Sequence, residues 1–225
     1  MSLSDPGLHA APVRSTVGIP VSHAYIPGVN SDKQTPDMQH AKLLLRARIR
    51  EELIKLSPEA KTAAAARMRT LIQSQAAWRY AGNILLFAPL PDEPDLWPLI
   101  AAALAAKKRV MLPRFDSLSG HYVPAEVCDV EHDIQTGRFG IREPTTACAE
   151  VSLNRLDSVL VPGVAFDVRG GRLGRGKGFY DRLLAGVRGT KCGVAFDEQI
   201  VDAVPVGPQD IRLNSILTPT RWIET

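Results

Sequence analysis

The chain has only three cysteines in 225 residues, Cys128, Cys148 and Cys192. Their odd number and the lack of Cys-x-x-Cys spacing argue against a disulfide framework and against a cysteine-rich zinc site. Free thiols in a reducing cytoplasm are expected. Cys128 and His132 lie four apart beside Glu131 and Asp133, but nothing nearby completes a metal site, and the stretch reads as a polar surface loop. No run approaches the roughly 18 apolar residues of a membrane span. The first 36 residues have neither the basic start nor the apolar core of a secretory leader; Arg14 and Lys33 are their only basic side chains. The expected location is therefore cytoplasmic, with no membrane partner. A net charge of +3 is too small to imply nucleic acid. No Ser-His-Asp or Cys-His constellation offers a protein nucleophile.

What remains is an ordinary globular composition, 45% hydrophobic and 23% charged, with mean hydropathy near zero. A chain of this length buries roughly 70–75% of its unfolded surface and needs no staple. Residues 1–34, rich in Pro, Ser, Gly and Val without a period, read as a poorly ordered arm. Residues 35–225 read as one domain. Thr35-Pro36 and Ser57-Pro58-Glu59 each signal a helix start, predicting one helix over DMQHAKLLLRARIREELIKL and a second to about Tyr80, ended by Gly82. Strands are expected at 83–90, 109–115, 157–167, 191–197 and 214–223, a hairpin arm at 121–127, and helices over DLWPLIAAALAAKK and about 178–185. Alternating helices and doubly apolar strands predict an α/β layered fold: a mostly parallel central sheet flanked by helices, two of them N-terminal.

The chemistry concentrates in GRLGRGKGFYDR, residues 171–182. Gly171, Gly176 and Lys177 match the spacing of a phosphate-binding P-loop, but Gly178 stands where its metal-binding Ser or Thr would be. Gly170, Gly171, Gly174, Gly176 and Gly178 interleave with Arg172, Arg175 and Lys177. Backbone amides and cations before a helix describe an anion site; a basic glycine tail for nucleic acid would be longer and disordered. The missing metal ligand is expected in Asp181, unless that carboxylate only pairs with Arg175 or Arg182, with Asp210 as a second candidate. Lys42 and Arg46 share a helix face four residues apart; a solvated face is the plain alternative to an anion site. Glu93 follows the first expected strand, where a ligand carboxylate or a helix N-terminal acid would both fit.

Together, LVPGVAFDVRGGRLGRGKGFYDRLL, Lys42-x-x-x-Arg46, NILLFAPLPDE, RVMLPR, FGIREP and GVAFDEQIVDAVPVGPQD resemble the 5-formyltetrahydrofolate cyclo-ligase family, also called methenyltetrahydrofolate synthetase, over about residues 37–220. The resemblance implies cyclisation of 5-formyltetrahydrofolate to 5,10-methenyltetrahydrofolate with ATP and Mg²⁺. The terminal phosphoryl group passes to the formyl oxygen, N10 attacks the activated carbon, and phosphate leaves. It also implies that Lys42, Arg46, Arg172, Leu173, Gly174, Arg175, Gly176, Lys177, Gly178, Phe179 and Tyr180 bind ATP. Arg175 and Lys177 would act in catalysis. Glu93, with Arg175, Gly176, Lys177, Gly178 and Phe179, would bind the folate, and Asp181 and Asp210 would hold Mg²⁺. The implied partners are ATP and a reduced folate, with no nucleic acid, and a monomer is expected. Pro94, Asp95 and Leu96 replace the family's hydrophobic residue, acid and Thr after Glu93, and Phe179 replaces a common Tyr. A diverged ATP-binding relative with another substrate and a non-catalytic folate or nucleotide binder are the competing readings.

Overall fold

A computed structural model describes residues 36–138 and 140–225, all within a compact unit spanning Gln34–Thr225. The expected arm and the cap at Thr35 lie outside the described residues. The elements run α1 (Pro36–Ile54), α2 (Pro58–Ser74), α3 (Ala76–Arg79), β1 (Asn83–Leu85), α4 (Trp97–Ala105), β2 (Arg109–Asp116), β3 (His121–Val127), β4 (Ile134–Thr136), β5 (Arg142–Pro144), β6 (Ser158–Val161), β7 (Ala165–Asp167), β8 (Arg172–Leu173), α5 (Phe179–Ala185), β9 (Thr190–Val194), β10 (Ile200–Val201), β11 (Ser215–Leu217) and β12 (Trp222–Glu224). The main sheet has the order β12-β11-β9-β6-β1-β2-β3. Its five inner strands are parallel, and both edges, β12 and β3, are antiparallel. The expected α/β fold with a mostly parallel sheet is the observed one.

Strand alternation explains the layers. Ile84, Val110, Leu160 and Val194 join one core with Ile49 and Leu53 of α1, Met68 and Ile72 of α2, and Leu99 and Ile100 of α4. Their neighbours Leu85, Met111, Val159 and Val161 point the other way, onto Leu183 and Leu184 of α5. Strands buried on both faces thus need helices on both sides.

Several expected elements are subdivided or shortened. The second helix breaks at Gln75, whose backbone is extended (φ −76°, ψ 141°), and the break carries Trp78 into the core. The 83–90 run is strand only to Leu85; Leu86 N still donates to Met111 O at 2.9 Å, and Pro89, which lacks an amide, cannot extend the ladder. The 157–167 run splits at Pro162-Gly163 into β6 of the main sheet and β7 of a small sheet ordered β10-β7-β8. A Cβ at Gly163 would stand 2.6 Å from the Phe166 ring, so the turn packs tightly on β7. The 214–223 run is a hairpin, closed by Thr218 N donating to Arg221 O at 3.0 Å. The 191–197 strand stops at Val194, and a 3₁₀ turn follows at Asp197–Gln199.

The strand order sets the site. β1 has β2 on one side and β6 on the other, so the order reverses there. Parallel sheets open a crevice at such a point, beyond the carboxyl ends of the strands. The segments leaving β1, beginning at Leu86, and β6, beginning at Pro162, separate at this place.

Asp167 fixes the turn between β7 and β8. Its buried carboxylate accepts the amides of Arg169 at 2.9 Å, Gly171 at 3.0 Å and Val204 at 2.8 Å. A Cβ at Gly171 would overlap this carboxylate, so the glycine there is a matter of space. Burial opposes the charge, but the three amides prevail and hold the carboxyl below its ordinary value of 3.8. A depressed carboxylate contributes stability that is present above the unfolded value and lost as pH falls through the folded one. We therefore expect Asp167→Asn to lose about 2–3 kcal/mol at neutral pH. In denaturant titrations the gap from the wild type should narrow as pH falls below about 4; a gap constant down to about pH 2 would contradict this role.

Candidate active site

A cleft of about 680 Å³ occupies the crevice. Its floor comprises Phe87, Ala88 and Leu90 after β1, Pro113 of β2, and Pro162 and Gly163 after β6. Residues 172–182 form one wall and Lys42 and Arg46 of α1 another. A third wall carries Tyr122, Ile141, Arg142 and Glu143. Every residue that the family resemblance assigned to a ligand lines this one cleft.

Ile49 and Leu53 seat α1 on the core, so Lys42 and Arg46, one turn apart, face inward. The Lys42 side chain is only 6% exposed and its ammonium meets Asp210 Oδ2 at 2.8 Å. That oxygen also accepts Gly207 N at 2.7 Å. Arg46 Nε donates to Gly174 O at 2.9 Å, tying α1 to the glycine loop. Burial lowers the Arg46 pKa. The solvated-face reading therefore fails for Lys42.

The loop itself requires two glycines in the left-handed region. Gly176 has φ +103° and Gly178 φ +64°, the latter as the N-terminal cap of α5. The three cations of the loop are not equivalent. Arg172 is buried: it donates to Asp181 Oδ1 at 2.7 Å and Pro162 O at 3.4 Å, while its Nε has no partner among the described residues. It braces Asp181, a pairing expected instead with Arg175 or Arg182. Lys177 is exposed, its ammonium 5.9 Å from the Phe179 ring centre. Arg175 meets Glu93 Oε1 on the cleft at 3.0 Å and Asp92 Oδ1 beside it at 2.7 Å.

Glu93 lies outside α4, so it is no helix-start acid. Its side chain is 6% exposed, with Leu90 N donating to Oε2 at 3.0 Å. Burial raises its pKa above 4.5, against the Leu90 amide and the Arg175 charge. Pro94 has not displaced it from the cleft. Phe179 packs edge-on against Phe115 at 5.9 Å and Tyr122 at 5.2 Å, and the Tyr122 and Phe179 members of this aromatic cluster line the cleft together with Glu93. Burial, with Glu93's charge, pushes the Tyr180 phenol well above its usual 10.

Sequence reasoning missed Asp92, Tyr122 and Glu143. Glu143 is buried on β5, its Oε2 accepting Phe115 N at 3.1 Å. A Cβ at Gly137 would overlap its carboxyl group. The FGIREP stretch contains it, but no local spacing distinguishes it from a surface acid. Cys192 is core packing, as expected, its thiol pushed up to about 12 by burial.

Among the described residues no three His, Cys, Asp or Glu side chains cluster to hold a metal. Asp181 and Asp210 are nevertheless both on the cleft, and both are oxygen donors. That set fits Mg²⁺, which binds through one or two carboxylates and completes its shell with phosphate oxygens and water. No Cys or His among the described residues lines the cleft to supply the nitrogen and sulfur ligands that zinc sites draw on.

A sequence profile of the 5-formyltetrahydrofolate cyclo-ligase family matches residues 38–219. The 5-formyltetrahydrofolate cyclo-ligase of Escherichia coli K12 is 33% identical over 177 residues, covering 77% of this chain and 97% of the relative. That of Mycolicibacterium smegmatis is 33% identical over 153 residues, 63% of this chain and 75% of the relative. The solution structure of Aquifex aeolicus 5,10-methenyltetrahydrofolate synthetase superposes with a TM-score of 0.74 at 32% identity, covering 81% of this chain and 92% of that one. With residues 38–219 inside the profile and its fold shared with that structure, this chain belongs to the 5-formyltetrahydrofolate cyclo-ligase family.

Proposed function

We propose that the chain closes 5-formyltetrahydrofolate to 5,10-methenyltetrahydrofolate at the expense of ATP. The observation that carries this is the convergence of Lys42, Arg46, Arg175 and Lys177 on one cleft with Glu93 and an aromatic wall. A triphosphate needs such cations; a pteridine needs a flat apolar surface and a carboxylate for its N–H donors.

In this reading Lys42 and Arg46 bind phosphates from α1, while the loop amides and Lys177 surround the terminal phosphoryl group. Phosphoryl transfer requires little covalent help from the protein and depends on alignment and charge stabilisation. Glu93 holds the pterin, Phe179 and Tyr122 pack on its ring, and Arg175 faces the formyl group. The formyl oxygen takes the phosphoryl group, N10 adds to the carbon, and loss of the N10 proton and of phosphate leaves the methenyl bridge and ADP. Asp181 and Asp210 would hold Mg²⁺, which when bound neutralises phosphate charge. Arg172 and Lys42 balance these two carboxylates otherwise. Arg172 serves as a brace behind the site.

Purified protein with 5-formyltetrahydrofolate, ATP and Mg²⁺ should develop the methenyl absorbance band, and omission of any one should abolish it. No band with all three present would refute the reading.

Lys177→Ala should cut turnover by more than roughly tenfold at saturating ATP, the effect of deleting a charge beside the transferring group; an unchanged rate would remove Lys177 from the mechanism. Asp181→Asn should shift the Mg²⁺ dependence to higher concentration. Because it also unbalances the buried Arg172, its thermal melt must be read alongside, and an unshifted Mg²⁺ curve in a folded variant would place the metal elsewhere. With Glu93 raised above 4.5, its charged form is lost early on acidification. The KM for the folate should therefore rise as pH falls through a value above 4.5, and Glu93→Gln should flatten that rise; a pH-independent KM in the wild type would contradict the assignment.

A further inference from the structure

Asp92 has no part in the roles given above, yet it makes the shortest bond to the cation facing the formyl group. Arg175 Nη2 donates to Asp92 Oδ1 at 2.7 Å and to Glu93 Oε1 at 3.0 Å, and Nε adds a 3.3 Å bond to the same Glu93 oxygen. Two adjacent acids from the turn after β1 thus grip one guanidinium from the glycine loop.

The two grips differ in kind. The Glu93 side chain is 6% exposed; the Leu90 amide takes one site on Oε2, and both Arg175 bonds fall on Oε1. An N–H donor that binds at Oε1 therefore contends with Arg175. Asp92 is 46% exposed and lines a small neighbouring hollow with Arg50, Leu53 and Gln199, outside the main cleft. A ligand that claims Glu93 would leave it untouched. Arg175, itself 44% exposed, has a long side chain with several rotamers, and holding it in one costs entropy. With Glu93 occupied and no second anchor, the guanidinium would swing into solvent when it is needed.

We propose that Asp92 is a positioning residue: it keeps Arg175 at the junction of folate and nucleotide once the folate claims Glu93. This rests on the cyclo-ligase reading, and it makes the two substrates interdependent. Folate loosens Arg175 from Glu93 without releasing it, turning its remaining N–H groups toward the phosphoryl group. As a half-exposed ion pair, Asp92–Arg175 contributes little to the fold, so its value lies in the working geometry.

The test is a double-mutant cycle on turnover. Asp92→Asn should lower kcat roughly tenfold, as expected for a misplaced transition-state cation, with the KM for the folate changed less than kcat. Asp92→Glu should recover part of the loss, and the thermal midpoint should stay within about 2 °C of wild type. In an Arg175→Ala background, Asp92→Asn should cost nothing further. Wild-type turnover in Asp92→Asn, or an equal loss in the Arg175→Ala background, would overturn the role of Asp92 alone. Absence of methenyl product from the wild type would overturn the underlying reading and this inference with it.

Discussion

The cleft depends on opposite charges held against each other across chain segments distant in sequence. Lys42 meets Asp210, Arg172 meets Asp181, and Arg175 meets Asp92 and Glu93, all at 2.7–3.0 Å. Removing one partner from a buried pair costs about 3–5 kcal/mol, because a desolvated charge is left alone. Lys42 and Arg172, at 6% and 3% side-chain exposure, are in that regime; Arg175–Asp92 is not. The inner pairs hold α1, the glycine loop and the 207–210 turn together, while the outer Arg175–Asp92 pair adds little to the fold.

The same pairs suit a ligand of mixed charge. A triphosphate brings negative charge to the cations, and its divalent counterion brings positive charge to the carboxylates. Each protein group then trades one opposite charge for another, and desolvation already incurred on folding need not be incurred again. Under the proposed reading, such a cleft would be preorganised for a metal–nucleotide complex, and less so for a bare anion.

Much of this was legible in the sequence. Doubly apolar strands between helices predicted the layered sheet, and the glycine–cation alternation at 170–178 marked the loop that lines the cleft, because both depend on local residue order. Boundaries were less legible. The 157–167 run looks like one strand, but Pro162-Gly163 turns it from one sheet to another, a choice made by Phe166 packing on Gly163. The 214–223 run likewise folds back on itself at Pro219. Pairings across long separations were least legible. Asp181 selects Arg172 over its closer neighbours because Arg172 is buried beneath it. Glu143 is marked only by a carboxylate fitted against Gly137, which no spacing rule reveals.

The central claim, that these charges await a metal and a nucleotide together, is tested most directly by calorimetric titration of ATP into the protein with and without Mg²⁺. The account predicts at least roughly tenfold tighter binding with Mg²⁺, a gain of about 1.4 kcal/mol, and loss of that gain when Asp181 and Asp210 are both changed to Asn. Equal ATP affinity in the presence and absence of Mg²⁺ would contradict it.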